Sequence, residues 1–183
     1  ADLLICSGAD LEAGCLPLLL RRASNPAVQV SKPGYVMAAD HVRLRGIPSS
    51  IDRSQGDLHG AGNPHVHTDP KNIKLIAKVL VKRMKTIDTE NADFYQAKTD
   101  GFLKRWKVAM ARWKKKVKPL KDTEIIVQHA SWDYLNDFVK LDQIATIEDK
   151  PGIPVTSTHL IALLKSTQQR RAKMIIHAAY QNG

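Results

Sequence analysis

The sequence predicts an α/β fold in which two α/β units are connected by one long helix. Three observations support this prediction. The chain opens with a short apolar run followed by helical spacing, strands alternate with helices after Pro119, and a helical pattern of roughly 28 residues lies between these parts. With 183 residues, the chain is long enough for one domain of ordinary size or for two small lobes.

The first part of the chain alternates regular elements with irregular segments. Residues 2–6 form an apolar run that predicts a buried strand, and residues 10–22 carry the apolar spacing of a helix. Pro17 lies inside this helical pattern and is expected to bend or restart the helix. Residues 24–34 and 47–64 are rich in turn-forming residues and predict loops. Irregular segments of this extent inside a compact domain are unusual and are often functional.

Two helices are predicted in the middle of the chain. Thr68 or Asp69 can cap a helix whose first residue is Pro70, because proline is well tolerated at the first helical position. A second start follows, and its apolar spacing predicts one continuous helix over residues 89–118, with Gly101 as its weak point. At 1.5 Å per residue this helix would be about 42 Å long, which is more than a compact domain of this size needs.

After the long helix the pattern changes to strands that alternate with helices. Apolar runs predict strands at residues 124–128, 143–147 and 173–177, and helical spacing predicts helices at residues 131–139 and 156–169. Alternation of this kind is typical of a parallel α/β unit. The predicted division of the chain is part of a first lobe at 1–88, an interlobe helix at 89–118 and part of a second lobe at 119–183.

The positive charge of the chain is concentrated in one segment. The net charge is +10, and residues 98–121 hold ten Lys and Arg residues against the single acid Asp100. Trp106 and Trp113 lie seven residues apart on the same helix, so a nucleic-acid-binding protein that uses this basic helix is an alternative. The other interpretation is a solvated basic face with both tryptophans packed in the core. No apolar run approaches the roughly 20 residues that a membrane-spanning helix needs.

The two cysteines and the start of the chain carry less information. Cys6 and Cys15 do not form a CxxC pair, and we expect two buried thiols, with a disulfide as the alternative in an oxidising compartment. The chain has no initiator Met and no secretory signal, and it opens directly with an apolar run. We therefore expect it to be a fragment or a processed product.

Two histidines lie where regular elements meet loops. His65 stands just before a predicted helix start, and His129 directly follows the apolar run at residues 125–128. Imidazole is the commonest protein ligand for zinc and related metals. In open α/β sheets, ligands bind beyond the carboxyl ends of the strands. His65 and His129 are therefore the predicted metal ligands, contributed by distant parts of the chain.

The sequence surroundings of the other histidines indicate which of them are candidate ligands. His59 lies in a glycine-rich loop, and His67 lies two residues from His65, so that an extended backbone would point the two rings to opposite sides. Both are further candidates, either as ligands or as neighbours of the ligands. His41, His159 and His177 are interpreted as structural. The nearby carboxylates have no diagnostic spacing; they are Asp57, Asp69 and Asp133.

Two neutral histidines do not complete a zinc site, which normally has four protein ligands when it is closed. Some ligands are therefore expected to lie outside this chain. An open metal position would make a zinc hydrolase a further alternative, but the sequence offers no clear general base. It also contains no nucleophile and general base at the spacing that is diagnostic of a catalytic pair. We therefore predict that the protein binds metal and is not an enzyme.

Several segments resemble the periplasmic zinc- and manganese-binding proteins of ABC importers. Asn63-Pro64-His65, followed by Asp69-Pro70, is similar to the NPHxW…DP segment of that family. The similarity continues in order along the chain through residues 91–95, 119–121, 129–135, 150–154 and 175–181. It covers essentially the whole chain. His67 falls where many relatives have Trp, which argues against His67 as a ligand.

The resemblance implies two Rossmann-like lobes with parallel sheets, joined by one long rigid helix, of which this chain covers the middle. It implies His65 as the ligand from the first lobe and His129 as the ligand from the second. The remaining ligands would be a histidine upstream of residue 1 and a carboxylate or histidine downstream of residue 183. The implied function is periplasmic capture of Zn²⁺, or alternatively Mn²⁺, and its delivery to the ABC transporter membrane permease. We expect a monomer that binds no nucleic acid.

Overall fold

The computed structural model describes residues 1–50, 56 and 59–180. These residues contain two parallel sheets. Strands β1 (Leu4–Cys6) and β2 (Tyr35–Met37) form the first sheet, with Leu4 paired to Tyr35. The second sheet has three strands and is formed by the part of the chain after the long helix. An α/β fold with parallel sheets is therefore confirmed.

Helix α1 (Leu16–Ala23) begins later than predicted. Residues 10–15 form turns, because the Glu12 carboxylate accepts hydrogen bonds from the backbone N–H groups of Ser7 (2.7 Å) and Gly8 (3.0 Å). Pro17 therefore lies in the first turn of the helix, where its missing N–H costs nothing, and does not bend it. Strand β2 was not predicted. It has only three residues and forms by pairing with β1.

The cysteines do not match the expectation of two buried thiols. Cys6 is partly buried against the cluster around Leu16 and Met37, and burial raises the pKa of its thiol. Cys15 is exposed, because it precedes α1 instead of lying on the buried face of a helix. Both thiols are free.

Helix α2 (Pro70–Ile87) begins at the predicted residue, and the Asp69 carboxylate caps it by accepting a hydrogen bond from the Lys71 N–H at 2.8 Å. Helix α3 (Ala92–Val117) has 26 residues and continues without interruption through Gly101, as predicted. The two helices pack against each other. Among the described helices, none is both long and apolar enough to cross a membrane.

The tryptophans of α3 are packing residues, as predicted. Trp106 and Trp113 meet edge to face with ring centroids 5.1 Å apart, and Phe102 stacks on Trp106 at 5.4 Å. The Trp106 indole N–H donates to the backbone carbonyl of Pro70 at 2.8 Å and so ties α3 to the start of α2. Both rings are half-buried instead of enclosed in a core.

The second sheet is built around β3 (Glu124–Val127), which pairs in parallel with β4 (Asp142–Thr146) and β5 (Met174–Ile176). Ile125 and Val127 of this central strand are fully buried. Helix α4 (Asp133–Val139) connects β3 to β4, and α5 (Ser157–Ser166) lies between β4 and β5. These elements agree with the predicted ones to within three residues at each end. The carboxyl end of β3 is the edge at which His129 lies.

Candidate metal centre

His65 is held at the start of a short 3-10 helix that precedes α2. This helix covers Val66–Thr68, and Val66 is almost completely buried. The His65 N–H donates to the Asn63 side-chain oxygen at 3.0 Å. The His65 carbonyl accepts from the Thr68 N–H at 3.1 Å and from the Thr68 hydroxyl at 2.8 Å. Backbone contacts on both sides therefore fix the position of this histidine.

His129 lies two residues beyond β3. Its neighbour Gln128 still belongs to the pairing of the sheet, since the Gln128 N–H donates to the Ile176 carbonyl at 2.9 Å. His129 keeps an extended backbone and is followed by the 3-10 helix Ala130–Trp132. The imidazole therefore stands at the carboxyl end of the central strand, where open parallel sheets bind their ligands.

The two predicted ligand histidines lie together. The ring centroids of His65 and His129 are 5.5 Å apart with an angle of 89° between the rings. The ring centroid of His67 lies 6.1 Å from that of His65, and His67 is exposed. The convergence of His65 and His129 across 64 residues of sequence is what a shared metal ion requires. Their role as ligands stays a prediction.

Burial keeps His65 in the form that binds metals. The pKa of its imidazole is lowered from 6.5 to about 4, first by burial and then by the neighbouring imidazoles of His129, His67 and His59. The ring is therefore neutral at physiological pH, as a metal ligand must be. Its Nε2 atom lies 3.4 Å from the Ser131 hydroxyl oxygen, which is beyond the usual range of a strong hydrogen bond.

Glu148 is the main residue of the site that the sequence reasoning missed. Its carboxylate lies 2.7 Å from Nδ1 of His129. A carboxylate on one ring nitrogen fixes the tautomer and directs the lone pair of the other nitrogen outward, as is common for histidines that bind metals. Glu148 follows β4, which is adjacent to β3, and its N–H donates to the Gln128 carbonyl at 3.0 Å. Because the parallel strands β3 and β4 end at the same sheet edge, their predicted positions could have indicated that Glu148 lies near His129.

His59 shares the cleft with the histidine pair. A cleft of about 730 Å³ is lined in part by His59, His65, His129, Ser131 and Glu148. His59 therefore remains a candidate neighbour or ligand. His159 lies near Asp149 (3.7 Å) and the Thr146 carbonyl (3.4 Å). His177 contacts the Ala178 carbonyl at 3.2 Å.

The nearby carboxylates do not complete a metal site. Asp69 is used as the cap of α2, and Asp133 accepts a hydrogen bond from the Asn63 amide at 3.0 Å. Burial raises the pKa of Asp133, and the hydrogen bond from Asn63 and the nearby Arg45 guanidinium oppose this. Asp57 lies outside the described residues. Within the described ranges, no group of three or more His, Cys, Asp and Glu side chains could hold a metal ion. Two imidazole nitrogens fit a divalent transition metal, but they are a partial set of ligands.

Residues 1–183 match the model of the family described as zinc-uptake complex component A, periplasmic. No curated protein sequence matches the chain.

Solved structures resemble the fold over nearly the whole chain. The crystal structure of ZnuA is 21% identical, with a TM-score of 0.73 over 97% of this chain and 63% of that one. A cadmium-bound periplasmic metal-binding protein from Candidatus Liberibacter asiaticus is 14% identical, with a TM-score of 0.73 over 100% and 62%. A mutant of the laminin-binding adhesin from Streptococcus agalactiae is 22% identical, with a TM-score of 0.71 over 100% and 64%. The chain thus spans less than two thirds of each of these proteins.

Proposed function

The chain belongs to the family of the periplasmic component A of zinc-uptake complexes, and from this premise we propose that it binds Zn²⁺ through His65 and His129. The observation that carries the proposal is the pair of rings, 5.5 Å apart, at a cleft between two distant parts of the chain. Partial burial and neighbouring imidazoles lower the pKa of His65 so that its ring is neutral at physiological pH, and the Glu148 carboxylate contacts Nδ1 of His129. Each ring would supply one nitrogen to the ion, and other ligands would complete the site.

The metal is proposed as cargo that is captured in the periplasm and delivered to the membrane permease of an ABC importer. Nitrogen ligands favour zinc over manganese, although metal supply also decides selectivity in cells. Among the structural relatives, a ZnuA deletion mutant and a mutant variant of AdcAII from Streptococcus pneumoniae were solved with zinc, and the Liberibacter protein was solved with manganese. Mn²⁺ is therefore the alternative cargo. We further propose lobes at 1–88 and 119–183, connected by the helix at 89–118, in a protein that acts as a monomer.

Two other functions have weaker support. A hydrolase would need a general base free to act on a metal-bound water, whereas the Glu148 carboxylate is already in contact with Nδ1 of His129. A nucleic-acid-binding surface on the basic helix would be expected to present its aromatic rings to bases. Trp106 and Trp113 instead pack on each other, and the Trp106 N–H is used by the Pro70 carbonyl. Binding without catalysis is the function that the geometry favours.

Calorimetric zinc titration of the complete protein tests the proposal, with His65→Ala, His129→Ala and His159→Ala as variants. Loss of either proposed ligand should weaken zinc binding by more than the ~10–100-fold that is typical when only a partner of a ligand is lost. His159→Ala is the matched control, because this histidine contacts Asp149 and the Thr146 carbonyl and not the pair. Unchanged zinc affinity in both His65→Ala and His129→Ala would end the proposal.

A further inference from the structure

Asn63 is a buried asparagine whose side-chain amide connects the two histidine loops. The residue is 9% exposed. Its Oδ1 atom accepts a hydrogen bond from the His65 N–H at 3.0 Å. Its Nδ2 group donates to the Ala130 carbonyl at 2.7 Å and to the Asp133 carboxylate at 3.0 Å. Both N–H donors and the oxygen of the amide are therefore engaged at once.

The partners of this amide lie on both sides of the cleft. His65 is a proposed ligand, and Ala130 directly follows the other proposed ligand, His129. Asn63 and Ala130 are 67 residues apart in sequence. One short side chain with few rotamers thus links the backbone of the first histidine to the residue next to the second. Hydrogen bonds made in a buried environment are directional and costly to leave unpaired, so this link fixes a separation.

Asn63 is itself held in place by Tyr134 and Arg45. The Tyr134 hydroxyl donates to the Asn63 carbonyl at 2.7 Å and accepts from the Arg45 N–H at 3.1 Å. The Asn63 N–H donates to the Arg45 carbonyl at 2.8 Å. Tyr134 is only 2% exposed and lies at the start of α4, so it attaches the second α/β unit to the loop that carries His65. A second, longer contact runs parallel to this one, since the Thr68 hydroxyl lies 3.3 Å from the Ser131 carbonyl.

We propose that Asn63 is a positioning residue that sets the separation of His65 and His129 and so prepares the site for zinc. The inference rests on the proposed function of the two histidines. It explains why an amide is present at this position. An aspartate could still accept from the His65 N–H, but it would replace both donors by an oxygen that faces the Ala130 carbonyl and the Asp133 carboxylate. An alanine would lose all three hydrogen bonds. Metal sites bind tightly when surrounding groups hold the ligands within a fraction of an ångström of the required geometry.

The test is zinc titration of the complete protein with Asn63→Ala and Asn63→Asp, with Asn136→Ala as the matched control. Asn136 is also a buried asparagine, 5% exposed, but its amide donates to the Gln143 side chain at 2.6 Å within the second unit. We expect both Asn63 variants to lose ~10–100-fold in zinc affinity, as for other groups that orient metal ligands. The control should keep the wild-type affinity, even if it is less stable.

The absorption spectrum of bound Co²⁺ separates positioning from general stability, because it reports the geometry of the ligands around the ion. We expect an altered cobalt spectrum in Asn63→Ala and an unchanged one in Asn136→Ala. If Asn63→Ala does not fold, Tyr134→Phe removes only the hydroxyl that holds Asn63 and should give a smaller loss of affinity with a detectable spectral change. Wild-type zinc affinity and cobalt spectra in the folded Asn63 and Tyr134 variants would overturn the positioning role. If His65→Ala still weakened zinc binding in the same experiment, the proposed function would stand without a positioning role for Asn63.

Discussion

The loops that carry His65 and His129 control their imidazole rings in different ways. His65 lies in a buried loop, where desolvation lowers the pKa of the imidazole to about 4 and Asn63 holds the backbone. His129 lies at the end of a sheet strand, where the Glu148 carboxylate holds the ring itself through Nδ1. Burial makes a ring neutral without choosing its tautomer, whereas a carboxylate partner chooses the tautomer and favours a protonated Nδ1. The pair therefore combines one histidine whose pKa is lowered by its surroundings with one whose ring is oriented by a carboxylate.

The largest expected effect concerns pH and separates the two loops directly. Because the pKa of His65 is lowered from 6.5 to about 4 on folding, the unfolded chain gains a proton at this residue before the folded chain does. The stability associated with a neutral His65 is therefore present above pH 6.5 and lost as the pH falls through about 4. We expect the complete protein to lose about 2–3 kcal/mol of unfolding free energy from this residue over that range.

Denaturant unfolding in the presence of a chelator measures this effect, with His65→Asn compared with the wild type. Asparagine does not titrate, so the difference in stability between the two proteins should shift in favour of the variant as the pH falls from 7 to 4. If the difference in unfolding free energy stayed constant from pH 7 to pH 4, folding would not lower the pKa of His65. The contrast between the two loops would then be wrong.

The second effect is expected at Glu148. Glu148→Ala removes the group that orients His129, and we expect ~10–100-fold weaker zinc binding. Glu148→Gln should lose less, because its amide oxygen can still accept a hydrogen bond from Nδ1. Asp149→Ala is the matched control, since Asp149 is largely exposed and lies near His159 instead of the pair. Equal losses in Glu148→Ala and Glu148→Gln would indicate that Glu148 binds the metal itself.

Sequence reasoning succeeded where the signals are local. The start of α2 depends on a capping carboxylate and a proline that are adjacent in sequence, Asp69 and Pro70. The apolar run of β3 predicted a buried strand, and Ile125 and Val127 are indeed fully buried. His65 and His129 were selected because they lie at the ends of such elements; the structure brings their rings together, and their role as ligands stays a prediction. Each of these predictions needs only a few neighbouring residues.

The failures share a different cause, which is contact between residues distant in sequence or competing side-chain hydrogen bonds. Strand β2 has three residues and exists through its pairing with β1. The delayed start of α1 follows from the Glu12 carboxylate, which binds the backbone of Ser7 and Gly8. The contacts of Glu148 with His129 and of Asn63 with Ala130 join segments 19 and 67 residues apart. No local pattern in the sequence records such pairs, and for Glu148 only the predicted sheet edge shared by β3 and β4 pointed to His129.

The smallest expected effect concerns Ser131, whose hydroxyl lies near a ring nitrogen of His65. Its hydroxyl oxygen is 3.4 Å from Nε2, which is longer than the roughly 2.7–3.2 Å of an ordinary hydrogen bond. If burial and backbone contacts are what hold His65, removing this hydroxyl should matter little. We expect Ser131→Ala to change zinc affinity by less than about twofold, which is well below the effect of Glu148→Ala. A hydrogen bond this long contributes less than the roughly 1 kcal/mol of an ordinary one. Competition titrations with a zinc chelator, run side by side on the two variants, make the comparison. If Ser131→Ala lost as much zinc affinity as Glu148→Ala, then His65, like His129, would be oriented by a side-chain partner. The difference between the two loops would then not hold.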